Sequence, residues 1–322
     1  VTDEVRTLRI ERLAAGGDGV ARDDGLVVFV PRTAPGDVAE VAIARKAGAR
    51  FARGRLVRLV DHSPARVAPE CPHYVQDGCG GCQLQHLTYE AQVHAKAAFV
   101  ADAFQRIAKR TVHVPEVHAA AHPWRYRAKL TLALERRRDG GWRAGLHPLD
   151  DPAAIIALDD CHITDARVVA AWRAVLAAGD VLPPAARLRG AVRLLDASRV
   201  AVVVEGGGSW PGPERLLDRV PSVAEVWWRP EGGRLRRLAA RQSRDEAGAS
   251  FVQVNAAVAD ALRRDVISRI TAHAPRTVVD AYAGVGDVAE ALAARGVVVT
   301  AIERDAAAAA AAARRLAAPS QA

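Results

Sequence analysis

The chain has 322 residues, enough for two or three domains with cores of their own, and half of those residues are hydrophobic. No apolar run nears the length of a membrane span, and no charged-then-apolar leader precedes the first predicted strand, which disfavours both a membrane protein and a secreted one. The formal charge of +8 suits a polyanionic partner such as RNA, although arginine- and alanine-rich composition also follows from high-GC coding.

Residues 5 to about 60 read as a run of short strands. Arg9-Ile10 and Leu26 to Val30 alternate or are β-branched, and Gly16-Gly17-Asp18-Gly19, Asp23-Asp24-Gly25 and Ala34-Pro35-Gly36-Asp37 mark turns between strands. Strands this short and closely spaced predict a small closed barrel. Between Arg45 and Arg58 stand Arg45, Lys46, Arg50, Arg53, Arg55 and Arg58, with no acid among them. Such a run is either a solvated face or a phosphate-tracking surface on an OB-like barrel. The second reading is preferred, with Arg50, Arg53 and Arg55 as RNA contacts.

HSPARVAPECP then reads as a proline-marked link into CPHYVQDGCGGCQLQH, which holds Cys71, Cys79 and Cys82. The fourth cysteine, Cys161, lies 79 positions further on. A Cys-x-x-Cys pair lets two thiolates grip one centre from a single turn, and Gly80 and Gly81 let the backbone fold closely around the sulfurs. With no spare cysteine, a single four-thiolate site is expected. Zinc and an iron–sulfur cluster are nearly tied on spacing alone. Cysteines used this way, with no targeting signal, point to a reducing cytoplasm.

A helix is predicted from about Thr88, with Val93, Ala97, Val100, Phe104 and Ile107 as a core-facing stripe. Leu130, Leu132 and Leu134 alternate in a strand that turns at Asp139-Gly140-Gly141. Further hairpins are expected around Asp196 to Ser198 and at Pro230-Glu231-Gly232-Gly233, giving a mostly antiparallel α+β domain. Trp124-Arg125-Tyr126-Arg127 and Trp227-Trp228-Arg229 are arginine-bearing pieces able to face RNA. From Phe251 the character changes. FVQVN leads into a helix, TVVDAYAGVGD reads as strand and glycine turn, a helix follows, and Val297 to Ile302 forms a second strand ending in Glu303. This is the opening βαβ of a nucleotide-binding fold, whose strand-tip acid accepts ribose hydroxyls. An NAD site is the natural rival, but Asp280 four residues before the first glycine and Tyr282 within the turn favour S-adenosylmethionine.

Pro-Glu-Cys71, Cys79-Gly-Gly-Cys82 and Leu84-Gln85-His86 resemble the cluster signature of the bacterial RNA 5-methyluridine methyltransferases, closest to the branch acting on 23S rRNA. The resemblance implies a [4Fe-4S] cluster on Cys71, Cys79, Cys82 and Cys161, and a TRAM domain at the N-terminus. It makes Gln253, Tyr282 and Glu303 cofactor contacts, and Arg127, in a Tyr-Arg-x-Lys/Arg-like segment, a contact near the target base. Asp287 stands where many members carry Asn, so its contact with the cofactor's amino group is the less firmly carried over. The implied architecture is multidomain α+β and α/β. It comprises a TRAM β-barrel (1–62), a central α+β domain with the cluster (63–250) and a partial Rossmann-like methyltransferase domain (251–322), acting as a monomer on RNA.

One departure matters. In the family a cysteine after Asp-Pro-Pro-Arg adds to C6 of uracil, and a carboxylate before Ser-Cys-Asn/Asp-Pro removes the C5 proton. Neither motif occurs here, and only two strands of the doubly wound domain are found. The expectation is a truncated form of an RNA (uracil-5-)-methyltransferase, inactive as it stands. The alternatives are a non-catalytic iron–sulfur RNA-binding protein and a different enzyme completed by another subunit.

Overall fold

The computed structural model describes residues 4–44, 48–114, 116–241 and 253–317. Arg45 and Lys46 of the basic run, Phe251 of FVQVN and the last residues of the chain lie outside them. The chain divides into two compact units, Val1–Ala121 with Leu146–Ile156, and His122–Gly145 with Ala157–Ala322.

The first unit opens with β1 (Glu4–Arg9), β2 (Arg12–Leu13), β3 (Gly19–Asp23), β4 (Leu26–Val30), β5 (Val38–Ile43) and β6 (Phe51–Asp61). They form a six-stranded sheet in the order β1-β5-β6-β4-β3-β2, antiparallel except where β4 runs parallel to β6. The sheet closes on Leu8, Ile10, Val28, Val30, Val41 and Ile43, each at most 5% exposed. Complete burial of such a side chain stabilises by about 1.5–3 kcal/mol. Gly54 on β6 has to be glycine, because a Cβ there would lie 2.3 Å from Val41 Cγ1.

The link after the barrel is bolted to it rather than hanging as a spacer. Asp37, fully buried, accepts from the main-chain N–H groups of Ala34 (2.6 Å) and Ser63 (2.9 Å) and from the Arg66 guanidinium (2.8 Å). Then come the short α1 (Pro72–Val75) and α2 (Tyr89–Ala103), the latter capped by Thr88, whose hydroxyl accepts from Ala91 N–H. The expectation for α2 is overturned. Val100, Phe104 and Ile107 are 46%, 43% and 83% exposed, and no residue of α2 is fully buried. The helix is apolar on both sides, and it is Ala91, Ala95 and Phe99, half a turn round, that pack against Leu13, Ala34 and Leu87.

The second unit is built on β7 (Lys129–Arg136), β8 (Trp142–Leu146), β9 (Ile156–Ala157), α3 (Ala166–Ala177), β10 (Arg187–Leu194), β11 (Val200–Glu205), α4 (Glu214–Arg219), β12 (Val223–Arg229) and β13 (Arg236–Ala240). Its seven-stranded sheet runs β13-β12-β11-β10-β7-β8-β9. The three expected hairpins are present, and β11 and β12 pair in parallel across α4. After them come α5 (Ala256–Thr271), β14 (Thr277–Asp280), α6 (Asp287–Ala293), β15 (Val298–Ala301) and α7 (Ala306–Ala317), with β14 and β15 forming a two-stranded parallel sheet. Among the described residues no helix is long and apolar enough to cross a membrane.

Candidate functional site

The glycine turn after β14 is fixed from both strand tips. Ile302 N–H donates to the Asp280 carbonyl (2.8 Å) and Ala283 N–H to that of Ile302 (3.1 Å). Gly284 and Gly286 take φ of +55° and +87°, the left-handed region that suits glycine. At Gly286 a Cβ would also stand 2.9 Å from Ala312 Cβ, so its absence lets α7 approach α6. Glu303, just past β15, accepts from Asp305 N–H (2.7 Å) and Gly284 N–H (2.9 Å). Those two donors hold its carboxyl below the usual carboxylate range. An ionised acid thus lies against the glycine turn, with lone pairs left over for a ribose diol.

The other expected cofactor residues surround that turn less closely. Tyr282 is 93% exposed and Gln253 is exposed, so both are open to a ligand. Asn255 caps α5 by accepting from Val258 N–H (3.1 Å). Asp287, in the first turn of α6, is ion-paired with Arg315 and lies 3.7 Å from Arg263. A ligand amine would have to compete with those guanidiniums for it.

Cys71, Cys79 and Cys82 belong to the first unit and Cys161 to the second, and none of the four is in a disulfide. Cys71, Cys79 and Cys161 are buried and Cys82 is half-buried. Gly81 N–H points at Cys79 Sγ (3.5 Å), and the loop pairs with the segment around Pro148 through Gly80 N–H to the His147 carbonyl (2.9 Å). Among the described residues, no three His, Cys, Asp or Glu side chains are grouped to hold a metal ion.

Of the expected RNA contacts, Arg50, Arg53 and Arg55 are all exposed, while Ala52 and Gly54 between them turn inward. Arg53 donates to Asp18 (3.0 Å), and Arg58 is paired with Glu40. Arg127 is half-buried, its main chain bridged to Asn255 and Thr164, and its Nε has no hydrogen-bond partner among the described residues. Arg32, passed over in the sequence, and Arg125, read there only as part of a piece able to face RNA, prove central. Arg32 donates to the carbonyls of Tyr74 (2.6 Å) and Cys79 (3.0 Å). Arg125 grips both oxygens of Asp160 (2.7 and 2.6 Å), and its guanidinium draws the Asp160 carboxyl down to about 2. Both stand at positive φ, and a backbone state of that kind leaves no mark in the order of residues.

The TRAM domain family matches residues 3–57. An RNA methyltransferase of Gloeobacter violaceus is 31% identical over 92% of this chain and 72% of its own length. A 23S rRNA (uracil(1939)-C(5))-methyltransferase of Chromohalobacter salexigens is 32% identical over 92% of this chain and 65% of its own length. An RNA methyltransferase of Halalkalibacterium halodurans is 38% identical over half of this chain, a stretch that spans 34% of that relative. The fold is similar to that of Pyrococcus abyssi tRNA (uracil-54, C5)-methyltransferase in complex with S-adenosyl-L-homocysteine, with a TM-score of 0.64 at 22% identity over 96% of this chain and 76% of that one. The chain belongs to the family of RNA methyltransferases that includes the 23S rRNA uracil-C5 enzymes.

Proposed function

We propose that this chain serves S-adenosylmethionine-dependent methylation of C5 of a uridine in RNA, with 23S rRNA as the substrate. The observation that carries the reading is the contact between Glu303 and the Gly284 N–H, in a chain of this family. Three functional parts follow the sequence divisions. Residues 1–62 grip RNA through Arg50, Arg53 and Arg55, residues 63–250 carry the cysteines and Arg127, and residues 251–322 hold the cofactor. Glu303 accepts the ribose hydroxyls, Tyr282 and Gln253 close on the exposed side, and Asp287 takes the amino group once its arginines yield. The bound cofactor supplies an electrophilic methyl group. The chain's residues orient it and bring the base to it.

The family's chemistry also needs a thiolate to add at C6 and a carboxylate to remove the C5 proton, because C5 of uracil is a weak nucleophile without that addition. Neither family motif for those groups occurs in these 322 residues, so neither role is assigned to a residue of this stretch. The four cysteines are proposed as ligands of a [4Fe-4S] cluster. This rests on the family resemblance, on three thiols sharing one loop and on the absence of disulfides. When bound, a cluster would cross-link its ligands. Anaerobically prepared protein should then contain iron and sulfide and absorb broadly in the visible; colourless protein with one zinc would reject the iron assignment.

The test of function is transfer of a tritiated methyl group to unmodified 23S rRNA by this chain extended with a stretch that carries the family's two missing motifs, with the label's position mapped. Label at C5 of uridine supports the proposal, and label on another base or atom refutes it. Binding of both cofactor and RNA without transfer would favour a binding protein.

A further inference from the structure

Among the described residues, the seven-stranded sheet of the second unit has helices against one face and none against the other. Val168, Trp172 and Val175 of α3 and Leu216 of α4 are buried on the covered side, where the Trp172 ring lies over Gly190 of β10. The strand register assigns the other side. On β7 and β10, Lys129 stands opposite Arg193, Ala133 opposite Arg189 and Glu135 opposite Arg187. Arg189 also faces Glu205 of β11, and Glu205 faces Arg229 of β12. Glu135 faces Arg143 of β8, and at the far edge Ala201 faces Glu225 and Trp227 faces Arg237.

The resulting charge balance is one-sided. Among the described residues, Lys129, Arg187 and Arg189 on β7 and β10 and Arg143, Arg229 and Arg237 on β8, β12 and β13 share this side with Glu135, Glu205 and Glu225. Two of the carboxylates are shared between cations. Glu135 lies 3.0 Å from Arg187 and 3.9 Å from Arg143, and Glu205 lies 3.2 Å from Arg189 and 3.8 Å from Arg229. Burial, with Arg193 and Arg189 nearby, pushes the Lys129 ammonium below its usual range. Lys129 stands opposite Arg193, a like-charge pair that costs stability, while Glu135 and Glu205 stand opposite arginines, pairs that favour the sheet. Between the cations Thr131 and Ala133 are half-buried and Ala191 and Ala201 buried, while the arginines at the border are long and mostly exposed, Arg187 at 69% and Arg189 at 64%.

We infer that this helix-free sheet face is a second RNA surface, separate from the barrel, which tracks the phosphates of the substrate through Lys129, Arg187 and Arg189. The inference rests on the RNA reading above and adds to it a place and a set of contacts. A polyanion is the partner this chemistry fits. RNA is preferred to an anionic lipid surface because the chain belongs to a family of RNA methyltransferases, and Trp227 of this face is half-buried with its ring N–H held by Glu225 (2.7 Å) rather than presented for insertion.

Two measurements on the full chain test it. Binding of a uridine-containing RNA hairpin is followed against salt for the parent and for the R143Q/R187Q/R189Q variant, and amine-reactive footprinting is read at Lys129 with and without RNA. The variant should bind about tenfold or more weakly near 0.1 M salt, with a log–log slope flatter by about 2, since each lost phosphate contact removes ~0.7–0.9 from it. Lys129 should be protected by RNA in the parent, while Lys96 and Lys109 report general exposure. A parental slope in the variant, with Lys129 labelled equally in both states, would overturn the inference. If R50A/R55A alone then abolishes binding, the barrel is the sole RNA surface. Should the triple variant misfold, the footprint on the parent decides. Failure of the parent to bind RNA at any salt would remove the RNA reading itself.

Discussion

Arg32 and Arg125 perform the same task in the two units. Each stands at a left-handed φ (+60° and +56°) and each donates to the main-chain carbonyl of a cysteine, Arg32 to Cys79 at 3.0 Å and Arg125 to Cys161 at 3.2 Å. A non-glycine residue in that region costs about 1–3 kcal/mol, which its surroundings must offset. Arg32 recovers it through two carbonyls and a position 4.3 Å over the Tyr74 ring. Arg125 does so through the Asp160 carboxylate and the carbonyls of Cys161 and Thr164.

Arg32→Ala should therefore loosen the cysteine loop. The loss of hydrogen bonds from a charged donor predicts destabilisation of about 1–3 kcal/mol. Hydrogen exchange should quicken at Cys79 and Gly80, whose N–H groups donate to the carbonyls of His73 and His147 (both 2.9 Å). Arg32→Lys should not restore protection, because a single ammonium cannot fork between two carbonyls. Unchanged exchange in Arg32→Ala would show that the loop holds itself.

Acid should weaken the same region in two stages. His86 is 2% exposed, its Nε2–H donating to the Thr33 carbonyl (3.2 Å) and its Nδ1 accepting from the Tyr74 hydroxyl (2.7 Å), so the neutral ring is satisfied at both nitrogens. Burial pushes the imidazole down to about 4 and the Tyr74 phenol up to about 12. The unfolded chain binds the imidazole proton more readily than the folded one. Stability from His86 is thus complete above about pH 6.5 and is lost as pH falls toward 4, by at most ~3 kcal/mol. For Asp37, the upward push of burial is outweighed by Arg66 and the N–H groups of Ala34 and Ser63, so its carboxyl lies below its usual range. Its contribution is present above about pH 4 and is lost below that. An NMR titration should show the His86 ring unprotonated at pH 5.5; a midpoint near 6.5 would mean the ring is open to water.

The barrel, the three hairpins and the opening βαβ were legible because alternation and turn chemistry determine them locally. The direction in which α2 faces was not. Val93, Ala97 and Val100 make as good a stripe as Ala91, Ala95 and Phe99, and only the barrel's position selects between them. The cationic sheet face was hidden for a related reason, since its charges come from six strands and meet only through register. Phe104→Ser with Ile107→Ser should change stability by no more than ~0.5 kcal/mol, as exposed sites do. Phe99→Ala, which opens a gap against Leu13 and Leu87, should cost about 2–4 kcal/mol. Reversal of that order in thermal unfolding would place the packed face of α2 where the sequence pattern put it.

The last prediction separates the two tasks of Glu303. Its oxygens hold the Gly284 and Asp305 N–H groups, and Asp305 in turn caps α7 by accepting from Ala308 N–H (2.8 Å). Glu303→Ala should therefore disturb both the glycine turn and the start of α7, and weaken cofactor binding with them. Glu303→Gln keeps an acceptor oxygen of the same reach but loses the charge. It should retain most of the fold while weakening S-adenosylhomocysteine binding by about tenfold, because hydrogen bonds to an ionised acceptor are roughly twice as strong as neutral ones. Calorimetric titration of the three proteins, with hydrogen exchange at Gly284 as the structural readout, distinguishes the roles. Equal binding by Glu303→Gln and the parent would confine Glu303 to shaping the turn and pass the ribose to another acceptor.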